Sequence, residues 1–137
     1  MYPAELVNPM KQELTQHGFQ EIVNTAQVQD AMKQSGTTLL VINSVCGCSA
    51  GTARPGVVAS LNGEGKKPDH LVTSFAGFDA EGVQEARKFL LPYPPSSPAI
   101  ALLKDGQLVH MIERHMIEGR SAAMIAANLQ QAYEMYC

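Results

Sequence analysis

The sequence predicts an α/β fold, a three-layer sandwich with a central mixed sheet flanked by helices, and three observations lead there. Short apolar runs alternate with helix-patterned segments through most of the chain. Two apolar runs near its end are joined by Lys104-Asp105-Gly106. A third run, Thr37–Asn43, leads almost directly into Cys46-Gly47-Cys48. Alternation implies crossover units and parallel pairing, whereas a tight turn requires an antiparallel hairpin, so the sheet is mixed and helices must cover both faces. Loops beyond the carboxyl ends of strands are then the expected place for chemistry.

The elements follow from apolar spacing and punctuation. Pro3 to about Leu14 forms a first helix, ended by His17-Gly18, although Pro9 obscures where it begins. Gln20–Asn24 is a short strand, and Thr25 caps a helix reaching about Met32 or Ser35. Thr37–Asn43 is the next strand. Pro55 to Leu61 is helical, since proline suits a first turn and Val57, Val58 and Leu61 share one side; Asn62-Gly-Glu-Gly65 ends it. Leu71–Phe75 is a strand, followed by a helix from Asp79, its cap, to about Leu91, with Val83, Ala86, Phe89 and Leu90 on its apolar face. Pro92, Pro94, Pro95 and Pro98 then interrupt the chain. Ala99–Leu103 and Gln107–Ile112 are the hairpin strands. A last helix, from about Ser121 to Met135, aligns Met124, Ile125, Leu129, Ala132 and Tyr136, with Asn128 interrupting the stripe. No repeat or interdomain linker divides the chain, so residues 1–137 are expected to form one domain.

A length of 137 residues with 45% apolar content suits a real hydrophobic core. The net charge of −3, with both signs mixed along the chain, lacks the basic footprint of a nucleic-acid binder. No basic leader precedes an apolar segment and no apolar run reaches the length of a membrane span, so a cytoplasmic protein without a membrane partner is expected. Three cysteines, two nearly adjacent and one the last residue, do not make a disulfide-stapled secreted scaffold. In a reducing compartment such spacing points to redox chemistry or metal binding.

Thiols two positions apart can close into a disulfide if the backbone turns at Gly47. One thiolate attacks, and a second thiol nearby ends the resulting mixed disulfide without waiting for another molecule. A bond across so short a loop is expected to be strained and easily reduced, which favours exchange over permanent crosslinking. Soft thiolates also suit zinc or Cu(I), but two cysteines supply half of a closed zinc site, so a metal-delivery module needs ligands from elsewhere. A noncatalytic interaction domain is the third reading. If the following helix starts only near Pro55, Cys46 stands several residues from its positive end and loop N–H groups must do more to hold a thiolate. Ser49 and Thr52 can donate hydrogen bonds in this loop or merely cap the helix. His70, His110 and His115 are available proton carriers, with surface or strand-end positions as the plainer reading. Cys137 reads as a passive terminal thiol.

Together, Val45-Cys-Gly-Cys-Ser-Ala-Gly-Thr-Ala-Arg-Pro55, Ser96-Ser-Pro-Ala-Ile-Ala-Leu-Leu-Lys-Asp-Gly106 and Leu108-Val-His-Met-Ile-Glu-Arg-His115 resemble the bacilliredoxin family across nearly the whole chain. The resemblance implies a thioredoxin-like fold with a Cys-Gly-Cys active site and removal of the small thiol bacillithiol from mixed disulfides on client proteins. Thiol–disulfide isomerisation is also implied. By that carry-over Cys46 attacks and takes the bacillithiol, then Cys48 or a free bacillithiol displaces it, and another thiol system completes the cycle. Gly47 and Ser49 belong to the active-site loop. Pro98 resembles the cis-proline that faces the cysteines, with Ser97 supplying the main chain that holds substrate; a cis X–Pro bond carries a small penalty. Arg54 offers a guanidinium to the carboxylates of bacillithiol or to a thiolate, its plainer role being a solvent-facing cation or a helix-start contact. No tightly bound cofactor and no resident metal are expected. The expected partners are bacillithiolated clients and a reducing system.

Overall fold

In the computed structural model, which describes residues 1–137, the strand β2 (Thr37–Asn43) has all seven residues buried and occupies the middle of a five-stranded sheet of order β1-β3-β2-β4-β5. Its neighbours β3 (His70–Phe75) and β4 (Ala99–Lys104) pair with it parallel and antiparallel respectively, β1 (Gln20–Glu21) adds a parallel edge beside β3, and β5 (Gln107–Ile112) an antiparallel edge beside β4. Because strand side chains alternate, Leu39 and Val41 face one core and Leu40 and Ile42 the other. The first core is closed by α3 (Arg54–Ser60) and α6 (Ala122–Tyr136), with Leu14 of α1 (Ala4–Thr15) joining it. The second is closed by α2 (Thr25–Met32) and α4 (Ala80–Arg87). The sheet is therefore mixed and covered on both faces, as the pattern predicts.

Several elements differ from expectation, each for a physical reason. Pro9 lies inside α1 rather than near a break. β1 keeps only two residues of Gln20–Asn24, because Ile22 N–H still reaches Thr73 O at 2.9 Å but Asn24 already turns to cap α2. Its Oδ1 accepts from Gln27 N–H at 2.9 Å, so Asn24, not Thr25, is the cap. Asp79 precedes α4 but makes no capping bond. Its carboxylate accepts from Phe75 N–H and from the Lys11 ammonium, which also reaches Glu21 at 2.7 Å and ties α1 to the sheet edge. The last residues of the expected fourth helix form a 3-10 turn, Lys88–Leu90. In α6, Met124 is exposed and Tyr133, not Tyr136, is fully buried, its hydroxyl 2.8 Å from Ser60 Oγ. A short helix, α5 (Arg114–Ile117), falls where no element is expected.

The difference that matters most is the start of the third helix. Helical backbone runs without a break from 47 to 60, through a π-helical turn, Ser49–Ala53, into α3. Pro55 is thus inside the helix, where it lacks the N–H that would bond four residues back. The wide turn accommodates it: Arg54 N–H reaches Ser49 O, five residues back.

The hairpin turn is Asp105-Gly106, both at positive φ (51° and 79°), the geometry of a primed two-residue turn. On the other side of the molecule α3 and α6 pack closely at Gly56, where an added Cβ would stand 2.8 Å from Ile125 Cβ and 3.0 Å from Ala122 O. Gly56→Ala is expected to lower stability by about 1–3 kcal/mol through overpacking, read as a lower urea midpoint at unchanged m-value; an unshifted midpoint would show that the helices separate freely.

Candidate active site at the end of the central strand

β2 ends at Asn43, and its amide gathers the next turn of chain. Asn43 Oδ1 accepts from Ser44 N–H at 2.8 Å, from the Ser49 hydroxyl at 3.0 Å and from Arg54 Nη1 at 2.9 Å. Arg54 Nη1 also lies 2.7 Å from Ser44 O and 3.0 Å from Ser49 Oγ, and its Nε donates to Glu13 at 3.1 Å. The Arg54 side chain is 2% exposed. This corrects the expectation for Arg54: its guanidinium holds the strand-to-helix turn from beneath, so it does not offer itself to a ligand carboxylate. Ser49 likewise points inward, fully buried.

This turn delivers Cys46 to the first residue before the helix. Its carbonyl accepts from Ser49 N–H and Ala50 N–H at 3.0 and 3.1 Å, and its own N–H donates to Ser44 Oγ at 3.1 Å. Helix 47–60 therefore begins at the thiols, not near Pro55, and its positive end lies beside Cys46. Gly47 is the first helical residue, not a tight turn; it is exposed, and an added Cβ would meet nothing within 4 Å.

Both thiols are free and partly buried. Burial opposes ionisation of Cys46, but the Cys48 thiol, the Ser44 side chain and the N–H groups of Ser49 and Cys48 together outweigh it and hold the Cys46 thiol below its ordinary value. Cys48 is pushed up, by burial first and then by its hydrogen bond to Cys46 and the repulsion of a Cys46 thiolate. Two cysteines at one helix start are thus differentiated, the thiolate form favoured at Cys46 and the thiol form at Cys48.

Across the sheet end, the Ser97–Pro98 peptide is cis. Register explains its place: Ile42 of β2 is opposite Ala99 of β4, so the residues before β4 face those after β2. Ile100 is opposite Ile112, which brings the end of β5 to the same edge. There Arg114 opens α5, its N–H bonded to Ser96 Oγ and its Nη1 to Ser97 O, both at 3.2 Å. Cys46, Ser97 and Arg114 line a cleft of about 180 Å³ whose far wall is Tyr2 and Gly77. Arg114 and Tyr2 are the site residues that sequence reasoning passed over. The signal for Arg114 was its position two residues beyond a strand antiparallel to β4; Tyr2 carried none, because its place follows from docking of the first residues on the turn after β3.

The other candidates lie elsewhere. Thr52 donates to Arg120 O at 3.0 Å and fastens the helix to the start of α6. His70 stands at the opposite end of the sheet, 3.1 Å from Ser35 O; His110 bonds Asn128 at 2.7 Å; His115 is exposed, and none of the three lines the cleft. α6 runs parallel to helix 47–60, with Thr52 beside Arg120 and Ser60 beside Tyr133, so Cys137 sits at the far end, roughly 20 Å of helix from Cys46. No group of three His, Cys, Asp or Glu side chains is placed to hold a metal ion.

The sequence matches the family described as Disulphide isomerase over residues 2–137. It is 60% identical over 134 residues to Bacilliredoxin of Cytophaga hutchinsonii, covering 98% of both chains. The chain belongs to the bacilliredoxin family. A bacilliredoxin of Halalkalibacterium halodurans is 48% identical over 137 residues, 99% of this chain and 94% of that one. Among solved structures, oxidised mitochondrial thioredoxin 3 of Saccharomyces cerevisiae matches with a TM-score of 0.55 at 16% identity, over 87% of this chain and 96% of that chain. Malassezia sympodialis thioredoxin gives 0.52 at 13% identity, over 87% and 90%. The fold is thioredoxin-like, and bacilliredoxin membership carries a thiol–disulfide redox role. No helix is long and apolar enough to cross a membrane.

Two outcomes are expected. Limiting iodoacetamide at neutral pH labels Cys46 ahead of Cys48 by peptide mapping, with a Cys46 midpoint below the free-thiol value of about 8.5; Ser44→Ala moves that midpoint up, because the thiolate loses a donor. Earlier labelling of Cys48 would reverse the assignment. Arg54→Gln is expected to cost roughly 2–4 kcal/mol in urea unfolding, since buried acceptors at Asn43 and Ser44 lose a charged donor.

Proposed function

We propose that this chain removes bacillithiol from mixed disulfides on client proteins, with Cys46 as nucleophile and Cys48 as resolving thiol. The observation that carries the reading is the placement of the pair: Cys46 stands at the start of helix 47–60, near the cis Ser97–Pro98 peptide, where donors favour its thiolate while burial and its neighbour favour the thiol form of Cys48. Relatives named Bacilliredoxin support the choice of small thiol.

The cycle conserves atoms and electrons. Cys46 thiolate attacks the bacillithiol sulfur; the Cys46–bacillithiol S–S bond forms, the bacillithiol–client bond breaks, and the client leaves as a thiolate that takes a proton. Burial still favours the Cys48 thiol, but the loss of the Cys46 negative charge removes the repulsion that added to it. Cys48 then gives up its proton and attacks Cys46 sulfur, closing the internal disulfide and expelling bacillithiol as a thiolate. The chain's two thiols have supplied two electrons, and a thiol reductant must return them, which suits a reducing compartment such as the cytoplasm.

Disulfide isomerisation, which the family description names, shares the first step but directs Cys46 to a protein sulfur. Intact mass separates the two. Reduced protein is incubated with a client carrying one bacillithiol mixed disulfide, beside Cys46→Ala and Cys48→Ala. The expected result is a bacillithiol adduct on Cys48→Ala, an internal disulfide in the wild type, and no change in Cys46→Ala. A protein–client adduct without bacillithiol transfer would favour isomerisation, and no reaction of folded, reduced wild type would reject both.

A further inference from the structure

The cleft beside Cys46 contains one fixed charge. Of the eight residues that line it, Arg114 is the one cation and none is a carboxylate, and its partners leave it available. Nε donates to Glu118 Oε1 and one Nη1 hydrogen to Ser97 O, both at 3.2 Å, so three of the five guanidinium N–H groups have no protein acceptor. The Glu118 partner is a half-exposed carboxylate four residues along the same turn of chain, and such pairs are weak and screened by salt. Ser97 O, by contrast, fixes the guanidinium against the main chain of the cis-proline segment, which lines the same cleft as Cys46.

The opposite wall is also built. Tyr2 N–H donates to Gly77 O at 3.2 Å, and the Tyr2 ring lies where a Gly77 Cβ would stand, so the first residues are docked on the turn after β3. The cleft then has an aromatic wall at Tyr2, the Cys46 sulfur and an anchored cation at Arg114. Its volume, about 180 Å³, suits part of a small molecule rather than a folded surface. Arg54, the other arginine near the loop, is buried in the turn and cannot serve.

We propose that Arg114 is a binding residue for a carboxylate on the small-thiol half of the mixed disulfide, and that it selects anionic small thiols by seating their sulfur on Cys46. This rests on the reading that Cys46 takes the small thiol rather than the protein sulfur. A planar guanidinium accepts a carboxylate through paired N–H bonds, fixing both position and orientation. Both thiols favour the charged form of Arg114, and Arg114 in turn favours the Cys48 thiolate, which sets it within electrostatic range of the reacting atoms. The bonds made and broken are those of the first exchange step above; Arg114 gains and loses none.

The test uses one client protein carrying, in turn, 3-mercaptopropionate, 2-mercaptoethanol or cysteamine as the mixed disulfide, which differ mainly in charge. Transfer rates are measured for the wild type, Arg114→Gln and Arg114→Lys. The wild type is expected to prefer the anionic thiol over the neutral and the neutral over the cationic. Arg114→Gln is expected to lower the anionic-to-neutral rate ratio by about tenfold, the worth of one charge-assisted bond, with Arg114→Lys recovering part of it. Raising the salt should shrink the same ratio in the wild type, which needs no variant to fold. A ratio that stays constant in Arg114→Gln and in salt, whatever the absolute rates do, would overturn the proposal. None of the three probes is bacillithiol: discrimination among them by a wild type inert to bacillithiol would keep Arg114 and reject that substrate. Transfer of none of the three would overturn selection by charge at Arg114, and the bacillithiol-carrying client decides the exchange reading separately.

Discussion

The site depends on a buried guanidinium. Arg54 comes back beneath the end of β2 and places one nitrogen among Asn43 Oδ1, Ser44 O and Ser49 Oγ. A charge removed from water is tolerated only when acceptors replace its hydration, and here a side-chain amide, a main-chain carbonyl, a hydroxyl and a half-exposed carboxylate do so. Their convergence forces the chain to leave the strand and enter the helix within a few residues. Cys46 is thereby set at the helix start, beside the N–H groups of the first turn.

The same constraint divides two chemically identical thiols. Helical backbone from residue 47 aims the N–H groups of Cys48 and Ser49 at Cys46, while Cys48 packs partly against the apolar core under the helix. Donors favour the thiolate at one sulfur; burial and a neighbouring negative charge disfavour it at the other. Order in the exchange cycle follows from that difference, because discharge of the first sulfur relieves the second. The π-helical turn belongs to the same arrangement, since it lets Pro55 sit inside the helix without breaking the segment that carries both cysteines.

Register brings the remaining parts together. A central strand parallel to one neighbour and antiparallel to the other places the end of β2, the start of β4 and the end of β5 at one edge of the sheet. Ser97, Pro98 and Arg114 reach the thiols by that route, although Cys46 and Arg114 are far apart in sequence. Tyr2 arrives by another, docked against a glycine whose missing side chain makes room for the ring.

Much was legible in the chain because it is written in local pattern. β2, the hairpin strands and the last helix followed from apolar runs and Asp105-Gly106 punctuation, and the thiol pair with its strand-end address was visible at once. Proline misled, since Pro55 read as a first-turn residue and therefore placed the helix start too late. Arg54 misled too, because a charged side chain is normally solvated and the sequence does not reveal that three acceptors of the preceding turn, with Glu13 from the first helix, will bury it. Local periodicity reports the elements and where they turn. Which donors reach Cys46, which arginine is buried and which faces the cleft depend on contacts between residues distant along the chain, and these exist only once the strands have paired.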